Sequence, residues 1–139
     1  MNEIEQMFYD AFIDERNNTD NEVCYELNIV PQVVVGIYRV DFVVNGKYVI
    51  EIDGHEFHKT KEQREHDYVR ERYLVKHGFI VIRFTATEVF LSCASCAVEA
   101  VKIIDDLTAE ADYADAMSCS RHYNFMVDRE REGRERGVE

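Results

Sequence analysis

The chain has 139 residues, of which 46% are hydrophobic, and this is the usual size of one domain with a buried core. It carries 16 Lys and Arg residues against 28 Asp and Glu residues, and the net charge of −12 argues against a generally basic nucleic-acid-binding surface. It contains no run of 18 or more apolar residues and begins with a polar, acidic segment, so we expect neither a membrane span nor a secretory signal and infer a cytoplasmic protein with reduced cysteines.

The first predicted element is a helix that ends at about Arg16. Asn2 is a suitable N-cap with Glu5 three residues later, as in a capping box, and apolar residues such as Phe8 and Phe12 follow at helical spacing. Two segments rich in β-branched residues, 23–30 and 33–44, are predicted strands. The pair Asn45-Gly46 then predicts a turn into a further strand over 48–53.

The second half of the chain predicts a helix, a strand and a last helix. Thr60 begins a polar helix that ends at Gly78, a short strand follows over 79–84, and Ser92 is a suitable N-cap for a core helix that runs to Leu107. We expect one domain over residues 1–110, and a helical or partly disordered extension over residues 111–139.

Three carboxylates lie within the two central strands, where charge is costly without a cation. A two-residue turn would place Asp41 opposite Ile50, whereas a three-residue connection or a bulge would place Asp41 opposite Glu51 and Phe42 opposite Ile50. We predict the second register, because it puts the apolar residues on one face.

In that register Asp41 and Glu51 are too close to carry two negative charges without a cation. Their hard oxygen atoms suit Mg²⁺ or Mn²⁺, and such an ion supports phosphodiester hydrolysis. The alternative is a surface hairpin whose carboxylates pair with Arg39 and Lys47. The following segment, 54–83, has seven basic and five acidic residues, which suits either contact with nucleic acid or a solvated helix face.

A longer pattern of residues resembles the PD-(D/E)XK nuclease superfamily. Asp41 is followed after nine residues by Glu51-Ile52-Asp53, and Pro31-Gln32, Tyr38-Arg39-Val40, His58, Asp67, Arg70, Leu74, Gly78 and Ile82-Arg83-Phe84 accompany it. This string resembles the small domain of unknown function 559, which is similar to the very-short-patch-repair (Vsr) endonucleases. The resemblance implies an α/β restriction-endonuclease-like core in the order αβββαβα, with a mixed central sheet flanked by helices.

The same resemblance implies roles for individual residues. Asp41 and Glu51 would be metal ligands, joined by the backbone carbonyl of Ile52. Glu5 matches an acidic residue that completes this site in relatives, although it also fits the capping box, and Gln32 matches a glutamine that orients water or phosphate. Asp53 departs from the pattern, because many members have lysine there.

Other residues could supply the acid–base and electrostatic functions of a nuclease. His58 is the first candidate to orient or deprotonate water and His55 the second, and Asp53 could orient His58 or join the metal site. Lys59, Arg64 and Arg70 are candidate contacts to the substrate phosphate, although Arg70 could instead pair with Asp67 in its own helix. Arg83 needs a carboxylate partner in any interpretation.

A separate cluster could bind zinc. Cys93 and Cys96, with Cys119 and His122, have suitable ligand types and spacing, but buried thiols that pack within a helix are the alternative.

We therefore predict a Mg²⁺-dependent or Mn²⁺-dependent endonuclease that acts on DNA, helped by a homodimer or a DNA-binding partner protein because of the acidic surface. The alternatives are a catalytically weak nucleic-acid-binding or partner-binding module on the same fold, and a zinc-stabilised interaction domain.

Overall fold

The computed structural model describes residues 1–18, 26–54 and 59–136, with side chains up to residue 118. The elements are α1 (Glu3–Arg16), β1 (Ile29–Val35), β2 (Tyr38–Val44), β3 (Tyr48–Asp53), α2 (Lys61–Lys76), β4 (Ile80–Thr85) and α3 (Ala86–Arg136). This is the predicted αβββαβα order. The chain forms two compact units, Met1–Ile104 and Asp105–Glu139, and the first contains the sheet.

The predicted caps of the first two helices are present. Asn2 and Glu5 form a reciprocal capping box at the start of α1, and Thr60 forms another with Gln63 at the start of α2. Gly78, with φ of +86°, follows the end of α2 in the left-handed conformation that favours glycine. Both ends of α2 are therefore set by local sequence signals, the capping box at Thr60 and the glycine at position 78.

The four strands form one mixed sheet in the order β1-β2-β3-β4, in which only β3 and β4 are parallel. In the central hairpin Phe42 pairs with Ile50 and Val44 with Tyr48, so the predicted register is confirmed. The connection has three residues, and both Asn45 and Gly46 adopt positive φ values, of 52° and 66°. The asparagine and the glycine therefore turn the chain without imposing the two-residue register.

Two predicted strand boundaries are wrong. The predicted strand over 33–44 is divided by a turn at Gly36-Ile37 into the end of β1 and the whole of β2. The other predicted strand, 23–30, overlaps β1 only at its end, and residues 23–25 lie outside the described residues. Gly36 has φ of +61°, so its backbone leaves the extended conformation within a run of β-branched residues.

Each face of the sheet packs against a different helix. Phe8 of α1 contacts Phe42 and Phe84, with ring centroids 5.6 and 5.7 Å apart, and Phe12 packs against Phe8. A second cluster joins Leu74 of α2 to Val43 and Val49 of the sheet. Leu74, Phe8 and Phe12 have no exposed surface.

A short helical segment that was not predicted precedes the predicted last helix within α3. Thr85 and Glu88 exchange hydrogen bonds at the start of α3, in the pattern of a capping box. Ser92, the predicted N-cap, has non-helical dihedral angles (φ −158°, ψ 66°) at a kink where two helices of α3 meet, which agrees with a helix that begins after it. Within the part of the chain that the structure describes, no helix is both long enough and apolar enough to cross a membrane.

Candidate active site

The centre of the site is the pair of carboxylates that the hairpin brings together. Continuing the register beyond Phe42 and Ile50 sets Asp41 on β2 opposite Glu51 on β3, and residues opposite one another point to the same face. Asp41 Oδ2 also accepts a 2.8 Å hydrogen bond from the backbone N–H of Ile52. The orientation of Asp41 is therefore fixed by the strand that carries its neighbour.

Glu51 is held in an unusual environment. It is 5% exposed, and of the side chains that the structure describes it is the only charged one that is buried. The pKa of Glu51 is raised to about 7: burial is the largest cause, Arg70 opposes it, and the nearby Asp41 adds to the rise. A buried carboxyl of this kind is typical of a functional site rather than of a folding element.

Arg70 of α2 reaches across to this pair. Its Nη2 donates to Glu51 Oε1 and, over 2.8 Å, to the backbone carbonyl of Arg39 on β2. The predicted alternative, an ion pair between Arg70 and Asp67 within the helix, is wrong, because Asp67 instead accepts from Lys59 over 2.6 Å.

Asp53, which lies where many members of the nuclease superfamily have lysine, pairs with Arg83 of β4. Arg83 Nη1 lies 3.2 Å from Asp53 Oδ2, and Arg83 Nε lies 3.2 Å from Glu71 Oε1. Burial alone would lower the pKa of Arg83, but these two carboxylates hold it above its ordinary value. Arg83 is also the register partner of Glu51, so a guanidinium lies on the strand directly beside the carboxylate pair.

One face of α2 carries all of these contacts. Asp67, Arg70, Glu71 and Leu74 follow the spacing of a single helix face. The first three pair with Lys59, Glu51 and Arg83 respectively, while Leu74 enters the core. The helix therefore meets the sheet through apolar contact at its end and through ion pairs at the site.

A cavity opens beside these ion pairs. Its lining consists of Asp53, Lys59, Arg64, Asp67, Tyr68, Glu71 and Arg83. Two of the three predicted phosphate contacts, Lys59 and Arg64, lie in this lining, whereas Arg70 lies at Glu51. The hydrogen bond between Lys59 and Asp67 raises the pKa of Lys59 and lowers that of Asp67.

Glu5 and Gln32 meet each other. Glu5 Oε2 accepts from the backbone N–H of Asn2 over 3.0 Å and from Gln32 Nε2 over 3.3 Å. Gln32 has φ of 53°, a rare conformation for a residue with a side chain, and its register position is opposite Asp41. Both interpretations of Glu5 thus keep support, since it belongs to the capping box of α1 and also accepts from Gln32, the β1 amide predicted to serve the site.

His55 and His58, the predicted water-orienting residues, lie outside the described residues. The surface-hairpin alternative finds no support among the described contacts, because neither Asp41 nor Glu51 forms an ion pair with Arg39 or Lys47. Lys47 instead lies over the Tyr48 ring, 5.8 Å from its centroid.

Glu71 is a residue of the site that the sequence analysis missed. The sequence feature that could have indicated Glu71 is its position three residues before the apolar Leu74, on the same face of the predicted helix.

The zinc alternative gains no support from the described residues. Cys96 is buried and Cys93 half-buried, while the side chains of Cys119 and His122 lie beyond residue 118. Burial raises the pKa of the Cys96 thiol, which disfavours the thiolate that zinc requires.

The carboxylate pair fits a magnesium or manganese ion. No group of three or more His, Cys, Asp or Glu side chains is placed to hold a metal within the ranges that the structure describes. Mg²⁺, however, is commonly held by one or two carboxylates and retains several waters. Two neighbouring carboxylates, one of them buried with a raised pKa, supply the negative charge that such an ion would neutralise.

Comparison with known proteins supports a nuclease fold. The catalytic domain of the homing endonuclease I-Bth0305I superposes with a TM-score of 0.53 and 13% sequence identity, over 76% of this chain and 98% of that domain. No curated protein matches the chain significantly. The family model REase_MTES_1575, which describes a restriction endonuclease family, matches residues 22–104 and so spans more than half of the chain, including the hairpin, α2 and β4. The chain therefore belongs to the REase_MTES_1575 family of restriction-endonuclease-like proteins.

Proposed function

We propose that this protein is a metal-dependent endonuclease that hydrolyses phosphodiester bonds in DNA. The observation that carries the proposal is the juxtaposition of Asp41 with the buried Glu51 across the central hairpin. Membership of a restriction endonuclease family supports nuclease chemistry, and Mg²⁺ or Mn²⁺ is the cofactor that the donor set suits. The likeness to Vsr endonucleases is part of this proposal.

Asp41 and Glu51 would hold the ion, with the backbone carbonyl of Ile52 as a further oxygen donor. A bound divalent ion supplies an activated water and neutralises charge on the phosphate. The hydrogen bond from the Ile52 N–H keeps Asp41 oriented toward Glu51, so the protein does not have to reorganise this ligand.

Basic residues of α2, of β4 and of the loop before α2 would bind the phosphate. Arg83, Arg64 and Lys59 line the cavity next to the carboxylates, and guanidinium groups match the geometry of phosphate oxygens. Asp53 and Glu71 hold Arg83 in place. His58 remains the proposed residue for orienting or deprotonating water, with Gln32 and Glu5 in supporting positions.

The acidic composition makes binding to DNA weak for the chain alone, since phosphate contacts depend on basic residues. We therefore propose that a homodimer or a DNA-binding partner protein supplies additional affinity. A cytoplasmic location is part of the same proposal.

The test is cleavage of single-stranded, duplex, mismatched and branched DNA with Mg²⁺ or Mn²⁺. Asp41→Ala should lower cleavage by about 100-fold or more while the protein stays folded, because it removes one of two metal carboxylates. Asp14→Ala, which removes an exposed carboxylate from α1, is the control and should leave cleavage unchanged. An unchanged rate in Asp41→Ala would contradict the assignment, and a wild-type chain inactive on every substrate would favour a binding module.

A further inference from the structure

We propose that Arg70 is an internal counter-ion that occupies the place of the metal, and that a divalent cation must displace it from Glu51. The inference rests on the proposed function, because it assumes that Asp41 and Glu51 are metal ligands. It adds an exchange of cations to that site.

The contacts of Arg70 show what the exchange involves. One guanidinium nitrogen, Nη2, serves both Glu51 Oε1 and the carbonyl of Arg39. Arg70 contacts Oε1 of the buried Glu51 carboxylate, so a cation that binds this carboxylate through either oxygen would lie close to the guanidinium. A divalent ion and a guanidinium beside one carboxylate repel each other strongly in a poorly solvated site, and one of them must leave.

Charge balance favours departure of the guanidinium. Asp41 and Glu51 together carry two negative charges when ionised, and Arg70 neutralises one of them. A divalent ion would neutralise both. Among the cations that the structure describes on this face, Arg83 pairs with Asp53 and Glu71, and Lys59 with Asp67, so Arg70 is the one that pairs with Glu51.

The guanidinium of Arg70 can also leave Glu51 without disrupting the fold. The side chain of Arg70 is 20% exposed, so part of it already reaches solvent, and Arg39, whose carbonyl it contacts, is held in place by its pairing with Val34 of β1. Once released, its guanidinium would lie beside the cavity lined by Arg83 and Lys59 and could contact a substrate phosphate.

The first test measures binding of Mn²⁺ by calorimetry, without DNA. Arg70→Gln should bind Mn²⁺ on the order of 10-fold more tightly than the wild type, because the competing cation is gone. The control is Arg72→Gln, which removes the same charge from an exposed position of the same helix and should change the affinity little. Equal or weaker binding by Arg70→Gln would overturn the inference.

The second test follows Arg70 itself in the wild-type protein, and a variant is needed only to assign its signal. The side-chain Nε–H signal of Arg70, assigned by its loss in Arg70→Lys, should shift and sharpen as Mg²⁺ is added. A signal that stays unchanged while Mg²⁺ binds would overturn the exchange.

The outcomes separate this inference from the proposed function. Metal binding that is abolished by Asp41→Asn but is not tightened by Arg70→Gln would reject the exchange and leave the metal site standing. Absence of metal binding in both the wild type and Arg70→Gln would reject the two together.

Discussion

The backbone N–H of Ile52 donates a 2.8 Å hydrogen bond to Asp41 Oδ2, so one strand of the hairpin orients the carboxylate of the other. Asparagine can still accept this bond through its side-chain oxygen. Asp41→Asn should therefore keep the hairpin but remove the negative charge that raises the pKa of Glu51. We expect the Glu51 carboxyl carbon to titrate below pH 7 in Asp41→Asn when followed by NMR. A midpoint equal to that of the wild type would show that the two carboxylates do not interact.

Stability of the metal-free protein should fall as the pH rises. The pKa of Glu51 is about 7 in the folded state against 4.5 in the ordinary one, so between these values only the folded state holds the proton. The contribution of Glu51 is complete below pH 4.5 and is lost as the pH passes 7. At 1.36 kcal/mol per unit over about 2.5 units, the loss is at most roughly 3–4 kcal/mol.

The measurement is urea unfolding at several pH values in the presence of EDTA. Glu51→Gln has no carboxyl to titrate, so its free energy of unfolding should change less between pH 5 and pH 8 than that of the wild type. Parallel pH profiles for the two proteins would contradict the assignment of this titration to Glu51.

Divalent cations should stabilise the protein more at pH 8 than at pH 5.5. Metal binding requires deprotonated carboxylates, and the raised pKa of Glu51 delays this until about neutral pH. At a metal concentration 100 times the dissociation constant, the expected gain is about 2.7 kcal/mol. Thermal unfolding with and without Mn²⁺ measures it, and a gain of the same size in Glu51→Gln would place the metal elsewhere.

Gly36 should resist substitution more strongly than Gly46. Both have positive φ values, 61° and 66°, so alanine costs about 1 kcal/mol of backbone strain at either position. A methyl group at Gly36 would also overlap the hydroxyl of Tyr73, whereas nothing lies within 4 Å of one at Gly46. We expect Gly36→Ala to lower the free energy of unfolding by roughly 1–3 kcal/mol more than Gly46→Ala. Equal losses in urea unfolding would mean that the turn, and not Tyr73, sets the requirement.

The register of the central hairpin could be predicted from sequence, because only one of the two candidate registers pairs charged with charged and apolar with apolar residues. Phe42 opposite Ile50 brings Asp41 opposite Glu51, although Val43 and Val49 on the other face are buried as well. The capping boxes at Asn2 and Thr60 could also be predicted, because the two partners of each box lie only three residues apart in the sequence.

The contacts between α2 and the sheet could not be predicted in this way. Local spacing allowed an ion pair between Arg70 and Asp67. The rotation of α2 against the sheet instead places Arg70 beside Glu51 and Asp67 beside Lys59. That rotation depends on Leu74 and Tyr73 packing in the core, which is a tertiary effect. The division of β1 from β2 was missed because Gly36 was the one weak signal within a run of valines and isoleucines.

The conformation of Gln32 also affects how the outer edge of the sheet meets other chains. Among the residues that the structure describes, β1 pairs with a strand on one side only, β2, and its Val30 and Val34 are 45% and 69% exposed. Pro31 has no N–H to offer, and the left-handed backbone of Gln32 interrupts the regular row of edge groups beside it. The interruption makes this edge a poor template for a long intermolecular strand, so we expect Gln32, next to the candidate active site, to disfavour aggregation through β1 as well.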